Sequence, residues 1–419
     1  MTRLLRFPFG LASMFALAMV LLAPGQLEAG SAKVSYKVLY SFLGQPDGAA
    51  PTGVIRDANG TLYGITENGG TGTCSNNNFP GCGTVFSTDR SGKETVLHSF
   101  AGYPTDGAFP NATLVQDSSG NLYGTTQLGG AYQVGAVFKV DASGTETVLY
   151  SFCPTKFPCT DGSEPLGTLI LDANGSLYGT TPGGGSANYG TVFKVDQNGT
   201  ETVLYSFTGS TDGAYPQAGL IFDAAGNLYG TTSRGGTGCN GEGCGVVFKL
   251  DPSGEETVLH SFKSFPDGAY PAGDLILDVA GNLYGTTSGG GIDHRYCNGC
   301  GTIFKVSPSG KETVLYRFPR LSTGDGPRGT VVRDSAGNLY GTAGGGGNGC
   351  GGTGCGVVFK LSKKGKLSLL YKASVGAGGI RPSATLVRDA SGALYGTMRG
   401  SGAPQCPVPG CGTVFKLTP

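Results

Sequence analysis

Residues 168–207, TLILDANGSLYGTTPGGGSANYGTVFKVDQNGTETVLYSF, contain four short runs rich in Val, Ile, Leu, Tyr, Phe and Thr, each bounded by glycine turns. Thr168–Asp172, Ser176–Thr181, Thr191–Val195 and Glu201–Phe207 therefore read as strands A to D. The A–B turn is Asp172-Ala173-Asn174-Gly175, and the other A–B turns share its D-x-x-G form, as in Asp57-Ala58-Asn59-Gly60. Aspartate bonds its own backbone two residues on and glycine accepts positive φ, which is hairpin chemistry. Strand D is apolar on both sides (Val203, Leu204, Tyr205, Phe207), as a sheet covered on both faces requires.

The unit recurs seven times. The tyrosine of L-Y-G-T-T falls at Tyr63, Tyr123, Tyr178, Tyr229, Tyr284, Tyr340 and Tyr395, and the phenylalanine of V-F-K at Phe86, Phe138, Phe193, Phe248, Phe304, Phe359 and Phe415. A period of about 55 residues with four strands matches a propeller blade. The phase of the ends points the same way. The repeats open on a D-type run (Lys37–Phe42) and close on a C-type run (Thr413–Leu417). The expectation is an all-β, seven-bladed β-propeller over residues 33–419, its last blade completed by the N-terminal strand. Such a closure removes an exposed edge.

The run G-N-L-Y-G-T-T…G-T-V-F-K-V-D-x-x-G-x-E-T-V-L-Y-S-F resembles the GloVer tandem-repeat family of exported bacterial proteins, across essentially the whole chain after the leader. The blade order is more distantly similar to NHL propellers. The resemblance implies export and a repeat scaffold, and it carries over no catalytic residue.

Composition excludes several classes. Of 419 residues 77 are glycine, about 18 per cent against a usual ~7. There is no G-X-Y period, so the chain is not collagen-like. Charged residues are 14%, with 29 basic against 29 acidic, which leaves no electrostatic footprint for nucleic acid. A hydrophobic content of 38% is too rich for disorder. At the N-terminus Arg3 and Arg6 precede an apolar run, Phe7–Leu22, which Pro24-Gly25 breaks before Leu27-Glu28-Ala29. Residues 1–32 thus read as a signal peptide cleaved near 29–32, the rival being an uncleaved anchor. No later stretch is long and apolar enough to span a membrane. The expected location is outside the inner membrane: periplasmic, cell-surface or extracellular.

The twelve cysteines fall into close pairs: Cys74/Cys82, Cys153/Cys159, Cys239/Cys244, Cys297/Cys300, Cys350/Cys355 and Cys406/Cys411. In an exported chain this reads as a disulfide framework. Zinc wants four ligands at one centre, whereas these pairs sit in different repeats, so no metal site is assigned to them. Cysteines accompany the longer B–C loops and are missing from the two short ones, Gln127–Val134 and Pro182–Tyr189.

The B–C and D–A connections share one face, and function is expected there. Most carboxylates repeat, and catalytic carboxylates are one-off and differently set. Asp47, Asp106, Asp161, Asp212, Asp267 and Asp325, each followed by glycine in a D–A loop, are either turn caps or a ring able to hold calcium or a polar ligand. The two aspartates left outside every repeated set are Asp274 and Asp293. Asp293-His294-Arg295-Tyr296 in the blade-five loop is the one idiosyncratic polar run, a polar loop tip or a ligand contact, together with Arg234 and Glu242 in blade four. His98 and His260 stand where other D strands carry tyrosine and read as packing variants. No nucleophile is marked by a motif. The leading expectation is a monomeric binding or interaction module, without cofactor, for extracellular polysaccharide or a protein partner. The alternatives are a hydrolase or lyase acting on glycans or lactones, calcium-dependent or not, and a structural cell-surface component. An enzyme requires non-repeated polar residues converging at one mouth.

Overall fold

The computed structural model describes residues 34–76, 79–155, 157–292, 300–319, 321–347, 350, 354–376, 378–382, 385–402, 406 and 410–419. The leader and the run Asp293–Tyr296 lie outside them. Seven antiparallel four-stranded sheets form the blades of one ring. In blade three the strands are Ile170–Leu171, Leu177–Thr181, Thr191–Val195 and Glu201–Ser206. The closing blade joins Ser35–Ser41 to Thr413–Thr418, then to Leu394–Met398 and Val387–Arg388, so the N-terminal strand is its outer strand. Two helical turns of three residues, Cys239–Gly241 and Leu321–Thr323, interrupt the strands.

Local chemistry explains the repeat. In each D-x-x-G turn the aspartate Oδ1 accepts amide hydrogens, as from Asn174 and Ser176 at Asp172 (2.9 and 2.8 Å). Its Oδ2 accepts the hydroxyl of the L-Y-G-T-T tyrosine, Tyr178 at 3.1 Å, which is why the two recur together. Strand D bulges at one place in successive blades, between the partners of Val192 and Phe193 in blade three. The bulge resets the alternation and sends Phe207 into the core, where it meets Phe248 of the next blade edge-on at 5.2 Å. The same pair recurs at six seams, from Phe42–Phe86 to Phe318–Phe359. At the seventh Ala373 replaces the phenylalanine. There Tyr36 stacks on Tyr371 at 3.7 Å and reaches Phe415 at 5.3 Å.

Strand A is shorter than the expected Thr168–Asp172 in six blades, two residues in each as at Ile170–Leu171, while blade one keeps a nine-residue strand, Gly48–Arg56. The segment before it serves the seam instead. The residue preceding the proline takes φ between 55° and 58° in every blade: Ala50, Phe109, Glu164, Tyr215, Tyr270, Gly326 and Arg381. Its N–H donates to the carbonyl just before strand C of the preceding blade, as Tyr215 to Tyr189 at 2.8 Å. The proline ring then packs on the glycine that opens that strand, Pro216 on Gly190.

Five disulfides are present: Cys74–Cys82, Cys153–Cys159, Cys239–Cys244, Cys350–Cys355 and Cys406–Cys411. Cys300 is also disulfide-bonded, while Cys297 lies outside the described residues. The seam acceptors include Cys82, Cys244, Cys300, Cys355 and Cys411. Each bridge ending at one of these therefore ties its long loop at the point that docks the next blade.

Candidate functional site

Five of the six D–A aspartates turn toward the outer strands, and Asp325 is the exception. Tyr40, Tyr150 and Tyr205 donate to Asp47, Asp161 and Asp212 at 2.9, 2.7 and 3.1 Å. His98 and His260 meet Asp106 and Asp267 at 3.1 and 3.2 Å. Loop amides complete the set, as Leu43 N–H to Asp47 at 2.8 Å and Cys153 N–H to Asp161 at 2.8 Å. Asp325 pairs through its backbone with Gly345.

A glutamate opens strand D beside each of five such aspartates. Glu94, Glu146, Glu201, Glu256 and Glu312 all bury an Oε1 that has no hydrogen-bond partner. Burial, then the charge of Asp47, Asp161 or Asp212, pushes Glu94, Glu201 and Glu256 from the ordinary 4.5 up to about 7. The phenols of Tyr40, Tyr150 and Tyr205 share these pockets. An acid whose pKa rises on folding binds more protons in the folded state, so stability is greatest below about 4.5 and is lost as pH climbs through 7. The groups are about half exposed, and screening cuts each contribution to about 1 kcal/mol. The midpoint of thermal unfolding is expected to fall by about 4 °C between pH 5 and pH 8. Burial raises Glu146 and Glu312 to about 7 as well, so the triple variant E94Q/E201Q/E256Q should make that dependence shallower, and an equally steep variant would remove these three glutamates as its cause.

The one-off residues gather elsewhere, in the central channel. Strand A begins just after one ring position held by Gly53, Thr113, Thr168, Gly219, Asp274, Thr330 and Thr385. The residue after each proline supplies a second set, among them Thr52, Asn111, Gln217 and Arg328. The side chains of both sets, together with Arg399, line a polar cavity of ≈ 260 Å³ that draws on all seven blades, Gly53 and Gly219 lying outside its lining. Asp274 is enclosed by protein but partly open to the channel. Its Oδ1 accepts the Gly219 N–H at 2.6 Å, and its own N–H donates to Thr330 Oγ1 at 3.1 Å. Burial raises its pKa, against the bonds from Gly219, Thr168 and Thr330. Arg399 pairs with buried Glu67 across the ring closure. Arg328 stands exposed at the mouth.

A second cavity of ≈ 220 Å³ shares Gln217, Ala272 and Arg328 with the channel and runs out over Ser233, Arg234, Tyr270 and Ser288. The Arg234 guanidinium lies 5.0 Å from the Tyr270 ring centre and 3.6 Å from Glu242. Of the residues singled out in the sequence, Arg234 thus lines the groove and Glu242 stands at its outer end. Asn111, Gln217, Asp274, Arg328, Arg399 and Glu67 were not selected from the sequence. The available signal was their failure to repeat at positions fixed by the proline and by L-Y-G-T-T.

Fold and site together define a seven-bladed, disulfide-stapled propeller with a singular polar channel. The chain belongs to the Gloeobacter/Verrucomicrobia repeat family, which matches residues 28–243 and 242–419. Among solved structures it is similar to a gluconolactonase from Xanthomonas campestris, at 14% identity and TM-score 0.45, covering 92% of this chain and 90% of that one. It is also similar to the extracellular domain of a hybrid two-component system from B. thetaiotaomicron, at 13% identity and TM-score 0.52, covering 92% and 41%. A luciferin-regenerating enzyme aligns at 13% identity and TM-score 0.45, covering 92% and 95%. At such identities likeness speaks for the fold alone. No curated protein matches the sequence.

Proposed function

We propose that the protein is exported and binds an extracellular polysaccharide at the channel mouth and the groove beside it. The observation that carries this reading is the convergence of non-repeated Asn111, Gln217, Asp274 and Arg328 on one opening. Amide, guanidinium and carboxyl groups there suit the hydroxyls and acidic groups of sugars, and Tyr270 offers a ring face at the groove. The leader and the disulfides support export. A hydrolase or lyase is the second reading. It is favoured by Asp274, a single carboxyl that burial holds toward its protonated form inside the channel.

The test is the thermal midpoint of residues 33–419 against defined polysaccharide fragments. A ligand at 100 times its Kd stabilises by about 2.7 kcal/mol. One glycan class is expected to shift the midpoint, and R328A and R234A should each weaken binding about tenfold. Absence of any glycan shift, or a shift indifferent to both variants, would overturn the reading. Release of reducing ends or hydrolysis of a lactone, abolished by Asp274→Asn, would establish the enzyme instead.

A further inference from the structure

We propose that His98, Asp106 and Glu146 form a site for a divalent cation of the zinc class at the seam between blades one and two. Among the described residues this is the one group of three or more histidine, cysteine, aspartate or glutamate side chains whose ligand atoms lie within 4.8 Å of one another. His98 Nε2 and Asp106 Oδ2 are already 3.1 Å apart. Two ligands about 2.1 Å from a tetrahedral zinc ion are separated by about 3.4 Å. A closing movement of up to about 1.4 Å among the three side chains therefore completes the geometry.

Three features favour a cation here. The Glu146 Oε1 is buried with no hydrogen-bond donor, as it is in four other blades, but only here among the described residues do an imidazole and a second carboxylate lie close enough for one ion to satisfy all three. Asp106 is held in place by amide donors, Ala101 N–H to Oδ2 at 2.7 Å and Gly107 N–H to Oδ1 at 2.6 Å. The His98 and Asp106 side chains are 19% and 10% exposed, which leaves solvent a way in while sheltering the site. An imidazole with two carboxylates suits zinc-type ions, whereas calcium and magnesium prefer oxygen throughout. Three protein ligands leave a position for water.

The other seams act as internal controls. Where tyrosine stands in place of His98, at Tyr40, Tyr150 and Tyr205, its hydroxyl donates to the aspartate and no imidazole is present. His260, Asp267 and Glu312 repeat the three residue types, but Arg317 stands where five of the other D strands carry serine, and its positive charge acts on Glu312. A guanidinium there opposes a cation, so this seam is assigned none.

Residues 33–419, stripped with chelator, are titrated with zinc chloride by calorimetry and by thermal melting. One zinc ion per chain is expected to bind in the micromolar range or tighter and to raise the melting temperature. H98Y should fold, because tyrosine occupies the equivalent place in five other D strands, and should weaken zinc at least 100-fold. E146Q should weaken it similarly, while H260Y should bind as the parent does. No saturable zinc uptake, uptake unchanged in H98Y, or loss of uptake in H260Y would each overturn the assignment. Tighter binding of calcium than of zinc would overturn the ion class.

Discussion

A chain that begins at Leu43 is expected to lose the closed monomeric ring. The missing segment supplies the outer strand of the last blade, registered from Ser35 opposite Thr418 to Ser41 opposite Thr413. It also fills two seams. Phe42 is fully buried against Phe86, and Tyr36 fills the space left at Ala373 and donates its hydroxyl to Gly378 O at 2.5 Å. Fully buried Phe42 contributes about 1.5–3 kcal/mol, and half-buried Tyr36, Val38 and Tyr40 add about 1 kcal/mol each, on the order of 5 kcal/mol together. That matches the lower end of the whole stability of a typical domain, about 5–15 kcal/mol. Thr413–Thr418 would become a bare edge and recruit strands from other copies. Light scattering after size exclusion should show association or loss of the fold relative to residues 34–419. A synthetic peptide of residues 34–42 added in trans should restore the monomer. An unchanged monomer with an unchanged urea midpoint would mean that the strand is decoration and that the ring is held elsewhere.

Legibility in the sequence followed the range of the interactions. Strands B, C and D and their hairpins rest on contacts within one repeat, such as Asp172 with Tyr178, and seven copies made them plain. Strand A was overestimated because Thr168 and its equivalents turn toward neighbouring blades, a choice that no single repeat reveals. The cysteine pairs were readable from spacing. Their second task, presenting a carbonyl to the next blade, was not, since Cys244 and Tyr270 meet only across a seam. The channel was hardest. Glu67 and Arg399 are 332 positions apart and become neighbours only when the ring closes. Asn111, Gln217 and Arg328 vary where a repeat search rewards sameness. Asp274 stands out in the sequence only as an aspartate outside the repeated sets, a property it shares with Asp293 and one that does not by itself make a site.

Gly190→Ala is expected to cost about 4 kcal/mol, and the reason separates two uses of glycine in this chain. Gly190 has φ +98°, where an L side chain is strained by about 1–3 kcal/mol. A Cβ there would also lie 2.3 Å from Thr181 O and 2.7 Å from Pro216 Cδ, so backbone and seam must both yield, for about 1–3 kcal/mol more. Gly120 has a similar φ of +87° with nothing within 4 Å of the added carbon, so Gly120→Ala should show the conformational part alone, about 1–2 kcal/mol. Urea unfolding of the two variants measures the difference. Equal losses would mean that the glycine before strand C is only a turn residue. A larger loss at Gly190, partly restored by Pro216→Gly, would show coupling through the seam. The glycine excess would then follow from the architecture: each blade must let the next blade's proline approach its backbone more closely than any side chain allows.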